Sequence, residues 1–420
     1  MDRILYVCLD GLGDDPIPSL GDRTPLEAAA TPNLDRLARS GRTGTVVTVG
    51  EGIAPESDIA VFAILGYDPR AEHPGRGVVE AVGVGMDFRD GDLAHRVNFA
   101  TAEWPRIVDR RVGRDLSSEE ARALASEVNE QLRLPEATFE LRATVEHRGA
   151  LVIRSNEGPL SAEITNTDPA YAKQGTLGVA LETFTPEVAR SEPLEDTDAA
   201  RHAADLTNAF VEGSAKILDA SEINAGRRAA GKLPGNLILT RDAGDHRPRL
   251  QTIDERTGVR WGCFVEMPVE RGIAILLGME PVDAPRLADE TAYTRWAELA
   301  AEALERFDAV YAHIKGPDVP AHDGRAEDKR DVIELIDRAF FGEVLGRLDL
   351  GRTVVVVTAD HSTSCVRKAH TADPVPLVVS GGSVEPDGSE AFGERACARG
   401  SIGRIRGVDI VPLAVSAARR

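Results

Sequence analysis

The sequence is poor in the features that mark several protein classes. It holds four cysteines in 420 residues, Cys8, Cys263, Cys365 and Cys397, and none lies in a CxxC pair. That argues against a cysteine-rich zinc module or a disulfide scaffold and fits free thiols in a reducing compartment. No apolar run approaches the roughly 20 residues that cross a bilayer. The opening MDRILYVCLDGLGD has a short apolar stretch that Asp10 and Gly11 close without a small-residue cleavage site. No secretory signal is therefore expected, and the cytoplasm is the expected location. Positive charge is in deficit: 49 Lys and Arg face 69 Asp and Glu, a net charge of −20. Such a field disfavours nucleic acid, and no membrane contact is expected. Any phosphate group must then be held locally, by arginines, helix N-termini or metals. There is no internal repeat or long low-complexity segment, and no reading of an oligomeric state.

What is present describes an ordinary soluble chain, 42% hydrophobic and 28% charged, of a length comfortable for two domains. RILYVCL, Arg3 to Leu9, is a buried strand ending at Asp10. Thr31-Pro32-Asn33 opens the helix LDRLARSG, with Thr31 as N-cap and Gly41 as stop. Ile59 to Leu65 reads as helical. Arg295 to Phe307 carries Trp296, Leu299, Ala303 and Phe307 at helical spacing. The strand AVYAHI follows, then a polar loop with Asp318 and His322, then an amphipathic helix over Lys329 to Leu345. TVVVVT, Thr353 to Thr358, is a fully buried strand that stops at Ala359-Asp360-His361, and Pro376 to Val379 is the last strand. Strands alternating with helices at both ends predict an α/β fold with a mostly parallel sheet flanked by helices. The mixed short segments between predict an inserted α+β domain. The expected boundaries are 1–85 and 267–420 for the core and 86–266 for the insertion.

In an α/β sheet, functional residues gather beyond the C-terminal ends of the strands. Asp10, Asp318, Asp360 and His361 fall at such ends or in the loops just after them, with His322 and His370 near in sequence. Only nine histidines exist, and three fall between His322 and His370. Asp10, Ser57, Asp318, His322, Asp360, His361 and His370 form a donor set that suits two adjacent divalent ions. The mixed carboxylates and imidazoles favour Mn²⁺ or Zn²⁺ over Mg²⁺. Ser57, in APESDIAVF, is either a helix cap or a nucleophile held as alkoxide between metals. Asp58 beside it either orients a ligand or answers the helix dipole.

The stretches LDGLGDDP, TPNLDRLARSGRTG, ESDIAVFAILGYDP, IVDRRVGR, HIKGPDVPAHDG and TADHSTSCVRKAHTADPVP run from near the N-terminus to beyond residue 370. On them the chain resembles the archaeal-type, 2,3-bisphosphoglycerate-independent phosphoglycerate mutases of the alkaline phosphatase superfamily. The resemblance implies an alkaline-phosphatase-like core carrying two divalent metals, conventionally Mn²⁺, and an inserted cap domain that binds substrate. One metal would take Asp10, Ser57, Asp360 and His361, and the other Asp318, His322 and His370. Ser57 would carry the phosphoryl group as a phosphoserine while 3-phosphoglycerate becomes 2-phosphoglycerate.

Lys315 and Asp58 join Ser57 as expected catalytic residues. Arg110, Arg111 and Arg114 in DRRVGR lead the anion-binding candidates, followed by Arg96, Arg154 and Arg227. Glu56 places a negative charge beside the serine. The alternative is a related phosphotransferase, phosphatase or specialised phosphomutase acting on another small phosphorylated or phosphonate metabolite.

Overall fold

The computed structural model describes residues 2–174, 177–181 and 183–419. The chain forms two compact units, one of residues 1–72 and 250–420 and the other of residues 73–249. Both boundaries differ from those expected. Arg76–Gly83 is a helix packed on the strands Leu93–Glu103 and Leu237–Gly244, so it belongs with the insertion. Trp261–Phe264 is a strand of the large sheet, so the core resumes earlier than residue 267.

The first unit is built on an eight-stranded sheet. In spatial order its strands are Glu280–Pro281, Trp261–Phe264, Ala309–Ile314, Arg3–Leu9, Thr353–Thr358, Val375–Gly381, Gly41–Val47 and Gly403–Arg406. Arg3–Leu9 pairs in parallel with Ala309–Ile314 on one side and Thr353–Thr358 on the other. Val375–Gly381 runs antiparallel to both its neighbours, so the sheet is mostly, not wholly, parallel. The central strands are uninterrupted apolar runs because helices cover both faces. Ile4 to Leu9 and Val354 to Val357 have no solvent exposure, and each such buried side chain is worth about 1.5–3 kcal/mol relative to exposure.

The helix after Thr31 runs Pro32–Arg39, with Thr31 at the cap position but making no side-chain cap bond. The carboxylate of Asp337 fills that role from far along the chain. It accepts from the backbone N–H groups of Leu34 at 2.8 Å and Asn33 at 3.2 Å, satisfying donors that every helix start leaves open. Gly41 begins a strand and Ser40 is the C-cap. No helix of the described residues is long and apolar enough to cross a membrane.

The second unit has a five-stranded antiparallel sheet centred on Leu93–Glu103, which pairs with Arg106–Asp109, Arg148–Ser155 and Leu237–Gly244. Helices Ser118–Gln131 and Asp198–Ala220 bury Leu124, Val128, Leu206 and Phe210 in the same core as Val97, Phe99 and Leu239.

Glu394, in the first unit, gives this fold a pH dependence. Its carboxylate accepts from the Thr24 hydroxyl at 2.7 Å and the Asp14 N–H at 3.3 Å. Burial, with Glu27 nearby, pushes its carboxyl up to about 7 although Thr24 and Lys329 oppose the shift. A raised folded-state value means stability present at low pH and lost as pH rises from the usual carboxyl range through 7, by up to about 3 kcal/mol. In Glu394→Gln that contribution is gone. The stability difference between variant and wild type, from urea unfolding, is expected to move in the variant's favour between pH 5 and 8. A difference that stays constant across this range contradicts the assignment.

Candidate active site

Three neighbouring strand ends deliver the central groups. Arg3–Leu9 stops just before Asp10, Thr353–Thr358 two residues before Asp360, and Ala309–Ile314 just before Lys315. Because these strands are parallel neighbours, their C-terminal ends open side by side. The turn after Asp10 needs a glycine. Gly11 has φ +64°, and a Cβ there would stand 2.7 Å from both Asp318 Oδ1 and Thr363 Oγ1. Its N–H donates to Asp360 Oδ1 at 3.1 Å.

The seven residues expected as ligands come together. His361 Nε2 lies 3.4 Å from Asp10 Oδ1, 3.3 Å from Asp360 Oδ2 and 3.2 Å from Ser57 Oγ. Asp318 Oδ1 lies 3.4 Å from His322 Nε2 and 3.7 Å from His370 Nε2. The rings of His361 and His370 stack with centroids 3.7 Å apart, which joins the two groups. Donor atoms of Asp10, Asp360 and His361, and likewise of Asp318, His361 and His370, lie within 4.8 Å of one another. Asp318 and His322 sit in a short helix, Asp318–Asp323, where a loop was expected. Their i, i+4 spacing puts both on one face.

Ser57 is the first residue of the helix Ser57–Ile64 and not its N-cap. That position belongs to Glu56, whose side chain makes no cap bond. The capping reading of Ser57 is thereby corrected, and its hydroxyl turns to His361 instead. Asp58 is buried in the first turn of the same helix.

The residues fit a cation. His370 donates its Nδ1–H to the Pro55 carbonyl at 2.8 Å and His322 to the Lys368 carbonyl at 3.2 Å. A neutral ring held this way turns a bare Nε2 towards Asp318, lone pair facing carboxylate, an arrangement that a cation between them relieves. Burial, with the neighbouring His361, holds His370 below its ordinary pKa. Asp10 Oδ1 and Asp360 Oδ2 are buried with no hydrogen bond among the described residues. Burial opposes ionisation of Asp10, yet the Lys315 ammonium, with His313 and His361, holds its carboxyl well below the usual range. Asp360, buried beside the Asp10 charge, is pushed well above it.

Lys315 ion-pairs with Asp10 and, at 2.9 Å, with Glu270 Oε1. Glu270 is 1% exposed, and its nearness to this centre was not legible in the sequence. His313, also buried, places Nε2 3.9 Å from both Asp10 and Asp360.

The second unit holds an arginine cluster of its own. Arg110 and Arg241 both bind Asp168, Arg110 through Nε at 2.8 Å and Arg241 through Nη1 at 2.9 Å, and both lie over the Tyr171 ring. Burial and the charges of Arg76 and Arg241 push Arg96 down to about 9. Burial and Arg114 lower Arg111 as well. Arg96 Nε, Arg241 Nε and Asn98 Oδ1 are buried without a hydrogen bond among the described residues. Each Nε has a carboxylate nearby, Glu80 at 3.9 Å and Asp242 at 3.4 Å, and the crowded guanidinium groups suit an anion.

Arg154 and Arg227, expected to bind substrate, are engaged otherwise. Arg154 forms a fork with Asp92 at 2.7 and 2.6 Å. Buried Arg227 binds Glu120 at 2.9 Å, Asp115 and the Leu233 carbonyl. Both are held in ion pairs inside the second unit, as Arg110 is held by its own fork to Asp168. Arg76 and Arg241, which neighbour this cluster, were not among the expected residues.

The same geometry can be set beside known proteins. A family model described as 2,3-bisphosphoglycerate-independent phosphoglycerate mutase matches residues 38–224. A 2,3-bisphosphoglycerate-independent phosphoglycerate mutase from Aeropyrum pernix is 44% identical over 99% of each chain. One from Thermococcus kodakarensis is 39% identical over 97% of this chain and 95% of its own. Among solved structures, a cofactor-independent phosphoglycerate mutase from Thermoplasma acidophilum is 34% identical with a TM-score of 0.67, covering 100% of both chains. A Pyrococcus horikoshii protein is 31% identical with a TM-score of 0.82, covering 100% of this chain and 97% of its own.

Proposed function

Because the chain belongs to the 2,3-bisphosphoglycerate-independent phosphoglycerate mutase family, we propose that it interconverts 3-phosphoglycerate and 2-phosphoglycerate through a phosphoserine on Ser57. The observation that carries the serine's role is its place, at a helix start with its hydroxyl 3.2 Å from His361, where two groups of carboxylates and imidazoles converge. Asp10, Ser57, Asp360 and His361 would hold one divalent ion, and Asp318, His322 and His370 the other. Mn²⁺ leads, with Zn²⁺ or Mg²⁺ as alternatives. Bound ions would supply Lewis-acid charge to the phosphoryl and serine oxygens.

The chain's own residues do the rest. The helix start favours negative charge on the Ser57 oxygen. The Oγ–P bond forms as the bond from phosphorus to the 3-oxygen of glycerate breaks, and the proton lost by the serine hydroxyl ends on that 3-oxygen. The return step forms the bond from phosphorus to the 2-oxygen as the Oγ–P bond breaks, and the 2-hydroxyl proton restores the serine hydroxyl. Lys315 balances the charge of Asp10, and Asp58 orients the first turn beside Ser57. Arg96, Arg110, Arg111 and Arg114, joined by Arg76 and Arg241, hold the carboxylate and phosphate of the substrate. The second unit is thus the substrate-binding domain, and the cytoplasm is the compartment in which it works.

Purified protein stripped with EDTA and supplied with 3-phosphoglycerate and enolase tests this reading. Phosphoenolpyruvate is expected only after Mn²⁺ is restored, without accumulation of inorganic phosphate. Release of inorganic phosphate alone would make the protein a phosphatase. Full activity in the stripped enzyme would remove the metals from the mechanism.

A further inference from the structure

We propose that Thr363 is a positioning residue that fixes His361 and Asp318 together and so couples the two ligand groups; the proposal rests on the two-metal reading above. Thr363 has no solvent exposure. Its hydroxyl lies 2.7 Å from Asp318 Oδ1 and 3.0 Å from His361 Nδ1. A threonine hydroxyl has one proton to give, and a carboxylate oxygen can only accept it. That proton goes to Asp318, leaving lone pairs for the imidazole. Nδ1 of His361 must then carry the ring proton and donate it to Thr363. Nε2 is left bare, facing Ser57, Asp10 and Asp360. That is the tautomer which a ligating histidine needs.

The hydroxyl cannot drift from this position. The Thr363 N–H donates to the Gly13 carbonyl at 2.9 Å, and its own carbonyl accepts from Lys329 Nζ at 2.8 Å. Across the hairpin it stands directly opposite His370. Gly11, lacking a Cβ, leaves room for Oγ1. His322 and His370 take their orientation from backbone carbonyls, which no side-chain substitution removes. His361 alone of the three depends on a side chain, and that side chain also holds the carboxylate of the other group.

Thr363→Val keeps the shape and removes the hydroxyl, whereas Thr363→Ser keeps the hydroxyl. Two readouts are taken on metal-stripped protein. Nitrogen-15 NMR of labelled histidines reports the His361 tautomer, and calorimetric titration with Mn²⁺ alone reports affinity and stoichiometry. Wild type and Thr363→Ser are expected to carry the proton on Nδ1 and to bind Mn²⁺ alike. Thr363→Val is expected to lose that tautomer preference and to weaken Mn²⁺ binding about 10–100-fold. A Thr363→Val protein with unchanged tautomer and affinity overturns the proposal, as does one whose melting temperature falls while both stay unchanged. If Thr363→Val does not fold, Thr363→Ala replaces it under the same criteria. Wild-type protein that binds no Mn²⁺ overturns the metal reading instead, and the tautomer measurement still decides the role of Thr363.

Discussion

Replacing Ser57 by alanine is expected to lower mutase turnover by roughly a thousandfold or more, the scale seen when a nucleophile is removed, while the protein stays folded. The two halves of this expectation have separate physical grounds. The hydroxyl's hydrogen bond is to His361, within the proposed centre, and it caps no helix. The helix Ser57–Ile64 is held by Ala60, Val61, Phe62 and Ile64, all buried. Alanine is also the better helix former, so unfolding free energy should move by less than about 1 kcal/mol. Two measurements check it: the enolase-coupled rate, and incorporation of radioactive phosphate into protein from labelled 3-phosphoglycerate. Wild type should label and Ser57→Ala should not. A variant that keeps a tenth of the wild-type rate would remove Ser57 as the phosphoryl carrier.

Much of the first unit was legible because its central strands are buried on both faces. Such strands are continuous apolar runs, and Arg3–Leu9, Ala309–Ile314 and Thr353–Thr358 were read at the bounds observed. The polar residue that ends each run marks a strand end, which is how Asp10 and Asp360 were found. Direction is not written in such a run. Nothing in VPLVVSG distinguishes the antiparallel course of Val375–Gly381 from a parallel one. The unit boundary was misplaced because Arg76–Gly83 is an apolar helix whose pattern suits either body, and only its packing on Leu237–Gly244 decides. Arginine roles were the least legible. Arg227 and Arg241 are the same residue type at similar burial. One binds Asp115, Glu120 and the Leu233 carbonyl, and the other shares Asp168 with Arg110, lies 3.4 Å from Asp242 and keeps Nε without a hydrogen bond among the described residues. Partners tens of residues away set that difference.

Lys329→Met is expected to cost about 3–5 kcal/mol of stability, the most disruptive of the substitutions considered for the fold itself. Lys329 has no exposure, although it lies on a helix read as amphipathic. Its ammonium meets three acceptors: the Gly13 carbonyl at 3.0 Å, Asp14 Oδ2 at 2.9 Å and the Thr363 carbonyl at 2.8 Å. All three of its protons are therefore used. Methionine fills the volume but leaves the Asp14 carboxylate, itself without exposure, uncompensated inside the unit. Asp14 Oδ1 also accepts from the N–H groups of Cys365 and Asp15 at 3.0 and 2.8 Å. The lysine thus ties the segment after Asp10 to the hairpin after His361, the first adjoining one proposed ligand and the second carrying another, His370. Adding Asp14→Asn removes the stranded charge, so the double variant should be more stable than Lys329→Met alone, though still below wild type because two carbonyls lose a donor. Urea unfolding of the metal-free proteins reads all three values. A Lys329→Met variant within about 1 kcal/mol of wild type, or a double variant no better than the single, would show that the buried ammonium does not hold these segments together.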